Sequence, residues 1–377
     1  MAHPSKTRVA IVVSHLTIGG AEQLLLEFLR HIDRTRFDLC IMFLREPGIL
    51  GKEILNLGFP VTTGIIRYKF DMAGIFRLAR LLKDFHTDTV FLINHLNTLF
   101  FGVMAAKLAG IRCCINWENE TFKKYPFHPL TMLGRRILHL GIDYVVAAAM
   151  GHGDYIATEE KVPRRKIRAI YNGVDPDRFQ SSLSPNEAKT RLQLPPHSPV
   201  VSIVAALRPD KAHHVFLKAA RQVIDAIPET HFLVIGDGPQ MNFLVNLAKE
   251  LDIDQQVHFL GFQRQLGDIF AAVDINCLSS YPQQETLSVA AIEAMSAGIP
   301  IVCTNVGFMK EIVIENETGY LVPVDDPTAL AEKLIFLLRR PDLRHRMKQN
   351  VRHLVSQSLS VHQMARAFEK LIASRPR

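Results

Sequence analysis

No stretch of the chain approaches the roughly 18 uninterrupted apolar residues that a membrane-spanning helix requires. The longest candidate, residues 90–109, is broken by Asn94, His95, Asn97 and Lys107, which argues against a spanning helix. Met1 to Lys6 precede only the short apolar run 9–13, too short for a secretory signal. Cysteine is scarce. Cys40, Cys113, Cys114, Cys277 and Cys303 lie in or beside apolar strand-like runs and form no Cys-x-x-Cys, so they read as buried thiols of a reducing cytosol. The three spaced glycines of a dinucleotide fingerprint are also missing. Val234-Ile-Gly236-Asp237-Gly238-Pro239 has Met241 where the third glycine belongs, and the loop after the first strand offers only Gly19-Gly20, which disfavours a nicotinamide or flavin enzyme. Internal repeats and low-complexity segments are absent. What remains, 377 residues with 48% apolar and 21% charged side chains, is a folded globular chain long enough for two domains.

Charge is unevenly placed. Residues 1–180 carry 24 Lys and Arg against 17 Asp and Glu, whereas 181–377 carry 20 of each, so the whole net charge of +7 falls in the N-terminal half. Such a half suits a polyanionic partner, either a membrane surface or a nucleic acid. The nucleic-acid reading has charge alone behind it and lacks aromatic stacking motifs. For a membrane, residues 74–85 put Ile75, Leu78, Leu82 and Phe85 on one face of a helix and Arg77, Arg80 and Lys83 on the other. Residues 122–136 mix aromatics with Lys123, Lys124, Arg135 and Arg136, a pattern for docking onto anionic lipid.

Short β-rich runs alternate with helical patterns throughout. Strands are expected over 9–13, 39–44, 89–93, 113–117, 144–148 and 167–170, and again over 200–205, 232–235, 258–260, 275–278 and 300–303. Each half reads as an α/β domain with an open, doubly wound parallel sheet. Residues 181–199, with four prolines and four serines, mark a linker region. The expected domains are therefore 1–180 and 181–359, with the active site in a central cleft at the carboxyl ends of both sheets.

One stretch concentrates the chemistry. Glu285-Thr-Leu-Ser-Val-Ala-Ala-Ile-Glu293 runs from a polar loop after a strand into a helix that ends at Gly298. The first free amides of that helix, from Leu287 to Val289, form an anion site, with Glu285 in reach of hydroxyls beside the anion. Glu293, roughly two turns on, would face another part of the same ligand. Asp175-Pro-Asp177 and Asp252-Ile-Asp254 match the Asp-x-Asp of metal-dependent transferases, but both fall in turn sequences and read as solvated turns, so no metal is expected.

An ordered set of motifs spans nearly the whole chain: Gly19-Gly20-Ala21-Glu22; Lys166 through Asn172-Gly173-Val174-Asp175 with Phe179; Gly236-Asp-Gly-Pro; Phe259-Leu-Gly261; the Glu285/Glu293 pair leading to Gly298-Ile-Pro300; and Thr318-Gly319. The set resembles the family-4 retaining glycosyltransferases of the two-Rossmann GT-B fold. That resemblance implies that Glu285 contacts a donor sugar and Glu293 a ribose, and that Thr286, Leu287, Ser288 and Val289 receive sugar and phosphate oxygens. It also implies that the Gly19-Gly20 turn closes over the diphosphate and that Gly261 and Phe262 lie where the base is selected. The C-terminal helix, from about residue 360, would cross back to the first domain.

The family's Gly-Arg-Leu-x-x-x-Lys-Gly stretch stands here as Ala205-Ala-Leu-Arg208-Pro-Asp-Lys211-Ala212. Lys211 fits, Arg208 is displaced, and both glycines are missing. With Glu285, these two cations are the expected catalytic residues, because departure of the diphosphate builds negative charge that cations must meet. The histidine common near the acceptor is absent after the strand ending in Trp117, leaving Glu118, Asn119 and the earlier His95 as acceptor-side candidates. The family's serine after the sixth strand is replaced within Ala147-Ala-Ala-Met150.

The resemblance implies a hexosyltransferase-type enzyme, cytoplasmic or peripheral on the inner face of the plasma membrane. It would pass a sugar from a UDP- or GDP-linked donor to a lipid-linked or saccharide acceptor in surface polysaccharide assembly. It implies retention of configuration; no residue identifies a nucleophile. Two other readings stay open: a nucleotide-sugar epimerase of similar architecture, and a catalytically inactive binding module of a polysaccharide assembly complex.

Overall fold

The computed structural model describes residues 6–16, 19–68, 71–93, 96–119, 129–282 and 285–374. The chain divides into two compact units, residues 1–172 with 361–377, and residues 173–360. Unit 1 opens with β1 (Thr7–Val13), α1 (Gly20–His31), β2 (Phe37–Phe43), α2 (Gly48–Leu55) and the two-residue β3 (Val61–Thr62). There follow α3 (Ala73–Asp84), β4 (Thr89–Ile93), α4 (Leu96–Ala109), β5 (Cys113–Glu118) and α5 (Pro129–Leu140). β6 (Tyr144–Ala147), α6 (Met150–Thr158) and β7 (Ile167–Ala169) complete the run.

The seven strands form one parallel sheet in the order β3-β2-β1-β4-β5-β6-β7. Val9 to Val13 of β1 are all buried, as a parallel strand covered on both faces demands, which is why the sequence shows a continuous apolar run there. Right-handed crossovers set α1 beside α2 on one face and α3, α4 and α5 in succession on the other.

Unit 2 begins with α7 (Pro185–Arg191), β8 (Val200–Val204), α8 (His213–Ala226), β9 (His231–Ile235) and α9 (Met241–Glu250). β10 (Val257–Gly261), α10 (Gly267–Ala271), β11 (Ile275–Leu278), α11 (Val289–Ser296), β12 (Ile301–Thr304) and β13 (Gly319–Val322) follow. Then come α12 (Pro327–Leu338) and α13 (Pro341–Ser358), after which α14 (Val361–Ala373) returns to unit 1. The second sheet is also parallel, in the order β10-β9-β8-β11-β12-β13. The stretch expected as a linker, 181–199, holds α7. Its start is fixed by a capping box in which Glu187 N donates to Ser184 Oγ and Ser184 N donates to the Glu187 carboxylate. Lys189 then pairs with Asp274 at 3.3 Å, which ties that helix into unit 2.

Helix α14 belongs to unit 1 through aromatic packing. Phe368 is fully buried, its ring centroid 4.6 Å from Trp117, 5.1 Å from Phe28 and 5.3 Å from Phe91. Glu369 accepts from Asp33 N at 2.9 Å and from Arg36 at 3.4 Å, which sets the register of the helix. Phe368→Ala would empty a site with no solvent access, and the expected cost is about 3–5 kcal/mol. Trp117 is the sole tryptophan and touches the deleted ring, so a denaturant titration followed by its emission measures that loss directly.

Candidate functional site

In unit 2 the chain proceeds from β8 outward to β9 on one side, while β11 pairs on the other side of β8. The loops after β8 and β11 therefore diverge, and the crevice they leave is where open α/β sheets bind ligands. Lys211 stands in the first loop and Glu285 in the second, and the fold brings them into contact. The Lys211 ammonium donates to Glu285 Oε1, which also accepts from Ser280 Oγ at 2.9 Å. Glu285 is buried and the Lys211 side chain is 14% exposed. Both donors use the same oxygen, which leaves Oε2 to take another partner.

Backbone geometry accounts for the placement of Lys211. Pro209 starts a single 3-10 turn that ends at Lys211, and Ala212 follows in the left-handed region at φ 46° before α8 begins. That is the position of a missing family glycine, and alanine keeps the glycine-type conformation at a strain of roughly 1–2 kcal/mol. Three further hydrogen bonds stitch the β11 loop in place. Ser279 Oγ donates to Lys211 O at 2.9 Å, Tyr281 N to Asp210 O at 2.8 Å, and Thr304 Oγ1 to Ser280 O at 2.8 Å. From behind, Gly307 backs the loop at φ 52°, so close that a Cβ there would lie 2.3 Å from Thr286 O and 2.5 Å from Glu285 O. Phe308 N donates to the same Thr286 carbonyl at 2.7 Å.

Thr286, Leu287 and Ser288 are buried in the approach to α11, where Ser288 Oγ caps the Ala291 amide. Glu293 is the fifth residue of that helix and partly exposed, so it stands a little over one turn from the start rather than two. Arg208 is half-exposed, and its guanidinium donates to Asp210 at 3.1 Å. Gly261 ends β10 at φ 66°, its carbonyl accepting from Gly236 N at 2.9 Å, with Phe262 exposed beside it. Two buried groups report on the electrostatics. Burial, with Lys211 adding to it, pushes His213 down to about 4, so its imidazole is neutral next to that ammonium. Burial raises the Cys303 thiol above its ordinary value, and the nearby Glu285 carboxylate raises it further.

Unit 1 has its own switch point between β1 and β4. Gly19 and Gly20 leave β1 there and start α1. His95, which follows β4, lies outside the described residues, as do Lys123 and Lys124. Glu118, at the end of β5, is buried; its carboxylate accepts from Asn116 at 2.8 Å and from Arg135 at 3.3 Å. Asn119 beside it is buried as well. Arg135 also donates to Glu160 at 2.6 Å. Burial opposes the charge on this guanidinium, but Glu118 and Glu160 outweigh it and raise its pKa above the ordinary value. The expectation that Arg135 faces lipid is therefore overturned, because two internal carboxylates hold it inside the domain; Arg136 is exposed. At the replaced serine, α6 starts from Ala149 without a side-chain cap, and the Ala148 amide donates to His152 Nδ1 at 3.1 Å. Both Asp-x-Asp sequences stand in turns, Asp175 capping a 3-10 turn and Asp252 at φ 55°.

Sequence reasoning missed Ser279, Ser280, Tyr281 and Gly307. The only signal for them was the polar Ser-Ser pair at the end of an apolar strand.

Two family models cover most of the chain. One described as Glycosyltransferase Family 4 matches residues 18–178, and one described as Glycosyl transferases group 1 matches residues 185–354. A similar curated protein is the UDP-Gal:alpha-D-GlcNAc-diphosphoundecaprenol alpha-1,3-galactosyltransferase of Escherichia coli, 25% identical over 347 residues, 88% of each chain. Another is the N-acetyl-alpha-D-glucosaminyl L-malate synthase of Bacillus anthracis, 26% identical over 249 residues. The chain spans 64% of that relative's length. Among solved structures, Anabaena HepE in complex with UDP superposes with a TM-score of 0.86 at 19% identity, over 98% of this chain and 100% of the other, a likeness of fold.

The contact behind Glu285 generates a prediction. Gly307→Ala forces a methyl group against the Thr286 and Glu285 carbonyls at a positive φ, which should cost about 1–3 kcal/mol and displace the loop. Thermal unfolding of the variant should shift downward, whereas an unshifted transition would mean that the loop yields without strain.

Proposed function

The chain belongs to the group 1, family-4 glycosyltransferases, and from that membership we propose that it moves a sugar from a nucleoside-diphosphate sugar onto a lipid-linked or saccharide acceptor. The reaction would serve assembly of a cell-surface polysaccharide or lipopolysaccharide at the cytoplasmic face of the membrane. The observation that carries the reading is the largely buried Lys211–Glu285 pair at the switch point of the unit 2 sheet. Lys211 and Glu285 satisfy each other's charge. Arrival of a diphosphate offers Lys211 a stronger partner, and the carboxylate held by Ser280 becomes available to the sugar hydroxyls.

Breaking the bond from the anomeric carbon to the diphosphate would then build negative charge on phosphate, which Lys211, Arg208 and the amides of Thr286 to Val289 would meet. Glu285, already positioned, faces the positive charge that grows on the sugar. We assign Glu293 to the ribose and Gly261 with Phe262 to the base, as the family resemblance implies, and take the transfer to retain configuration. Gly19 and Gly20 are the corresponding ligand-contact candidates of unit 1. Asn116 and Arg135 hold the Glu118 carboxylate at the end of β5, and Glu118, Asn119 and His95 are the acceptor-side candidates. Uridine diphosphate sugars are the first donors to test, given the UDP-linked donor named for the Escherichia coli relative and the UDP complex of the Anabaena protein.

Incubation with donor should release nucleoside diphosphate only when an acceptor is present; acceptor-independent conversion of the donor would favour an epimerase. Glu285→Gln should lower turnover by roughly 10²-fold or more while nucleoside diphosphate still binds, the loss typical of one preorganised electrostatic group. Unchanged turnover would remove Glu285 from the site.

A further inference from the structure

One edge of the unit 2 sheet carries two histidines that the transfer reaction does not use. His231 opens β9, and His258 is the second residue of β10, the edge strand of that sheet. The strands are parallel, so both rings lie toward the amino ends, away from the carboxyl ends where Lys211 and Glu285 meet. His258 pairs with Leu233, two residues beyond His231, which puts the two imidazoles on one face as diagonal neighbours. Both are half-buried. Their planes are 30° apart with centroids at 5.2 Å, and His231 Nδ1 lies 3.0 Å from His258 Nε2. Neither ring hydrogen-bonds any other protein group among the described residues.

Of the two facing nitrogens, one carries the hydrogen and the other accepts it. Burial lowers both rings from the ordinary imidazole value, and His231 adds to the effect on His258, so the pair is neutral at pH 7, the state in which imidazole binds metal. No carboxylate among the described residues contributes to either shift, which leaves nitrogen alone as ligand. Hard ions such as Mg(II) and Ca(II) want oxygen ligands and do not fit. Imidazole suits Ni(II), Cu(II) and Zn(II). The separation chooses among these three. With 3.0 Å between the nitrogens and metal–nitrogen bonds of about 2.0–2.1 Å, the angle at an ion bound to both is about 95°. That angle belongs to neighbouring corners of a square or an octahedron, the geometries of Cu(II) and Ni(II), and is too narrow for tetrahedral Zn(II).

We propose that His231 and His258 together form a bidentate site for a divalent transition-metal ion of the Ni(II) and Cu(II) class, which staples the edge strand β10 to β9. Rotation of the two half-buried rings turns both lone pairs onto the ion. Two metal–nitrogen bonds form and two waters leave the ion, while its other positions keep water. The ring that donates within the pair shifts its hydrogen to its outer nitrogen, so both imidazoles stay neutral and no net proton is released. At the far end of the same strand stand Gly261 and, just beyond it, Phe262, so the ion braces β10 from the end opposite those residues. The site is separate from the Lys211–Glu285 pair and does not depend on the transferase reading.

Calorimetric titration of the full chain with Ni(II), at neutral pH in a buffer that does not chelate, is the test. His231→Asn and His258→Gln each keep a hydrogen-bonding group near the position of the ligating nitrogen but remove the imidazole. Each should weaken one Ni(II) site by roughly a hundredfold, because a chelate becomes a single ligand. Binding at the other histidines is common to all three proteins. Mg(II) should give no such site, and Zn(II) should bind less tightly than Ni(II). Ni(II) should also raise the thermal midpoint of wild type more than that of either variant. If the variants do not fold, wild type alone carries the test: Ni(II) should slow the modification of His231 and His258 by diethylpyrocarbonate several-fold, read by peptide mass spectrometry. The proposal is overturned if the folded variants bind Ni(II) as wild type does, or if Ni(II) leaves the modification of both rings unchanged. Tighter binding of Zn(II) than of Ni(II) would overturn the assigned class of metal.

Discussion

The ion pair between Lys211 and Glu285 is the constraint around which unit 2 is arranged. Two charges largely removed from water are tolerable only when paired and hydrogen-bonded, so the chain segments on either side must hold them in register. The parallel sheet brings the ends of β8 and β11 together, and Ser279, Tyr281 and Thr304 fasten the two loops. Gly307 lets a third loop close against the carbonyls that position the carboxylate. A pair assembled in this way is costly to keep for stability alone, since an apolar pair of similar volume would serve as well. Under the proposed function its value would lie in exchange: a diphosphate would take over the lysine while the carboxylate stays in place.

Unit 1 uses a buried charge differently. Arg135 joins Glu118 and Glu160, one guanidinium between two carboxylates, and burial raises the Glu160 pKa even though Arg135 works against the rise. This cluster ties the end of β5 to α5 and to the end of α6, which makes it a framework for the loops at that edge of the sheet. With Arg135 turned inward, Leu133, Ile137 and Leu140 stand on the exposed side of α5, while Leu138 packs against the core.

Much of this was legible in the sequence. Each expected strand is present to within a residue or two, because parallel strands covered on both faces write continuous apolar runs. The two that were missed, β3 and β13, are a two-residue edge strand and a short edge strand opening on glycine, neither with a run to read. The glutamate pair and Lys211 were visible as motif positions, and the left-handed Ala212 shows where a motif glycine had been replaced without loss of its backbone shape. Ser280 and Gly307 were not visible, because their roles exist only once sheet order brings distant loops together. Arg135 was misread for the same reason: its partner carboxylates lie 17 and 25 residues away, while the stretch 122–136 that it closes mixes basic and aromatic side chains.

The central claim, that Lys211 meets the diphosphate of a bound nucleotide, is tested most directly by calorimetric titration of Lys211→Ala with a nucleoside diphosphate and with the matching nucleoside. Uridine or guanosine would be used, whichever the wild type binds. The account predicts that the diphosphate binds at least about tenfold more weakly to the variant while the nucleoside is unaffected, the signature of a lost charge-assisted bond to phosphate. Equal losses for both ligands would contradict it and make the Lys211–Glu285 pair a structural contact.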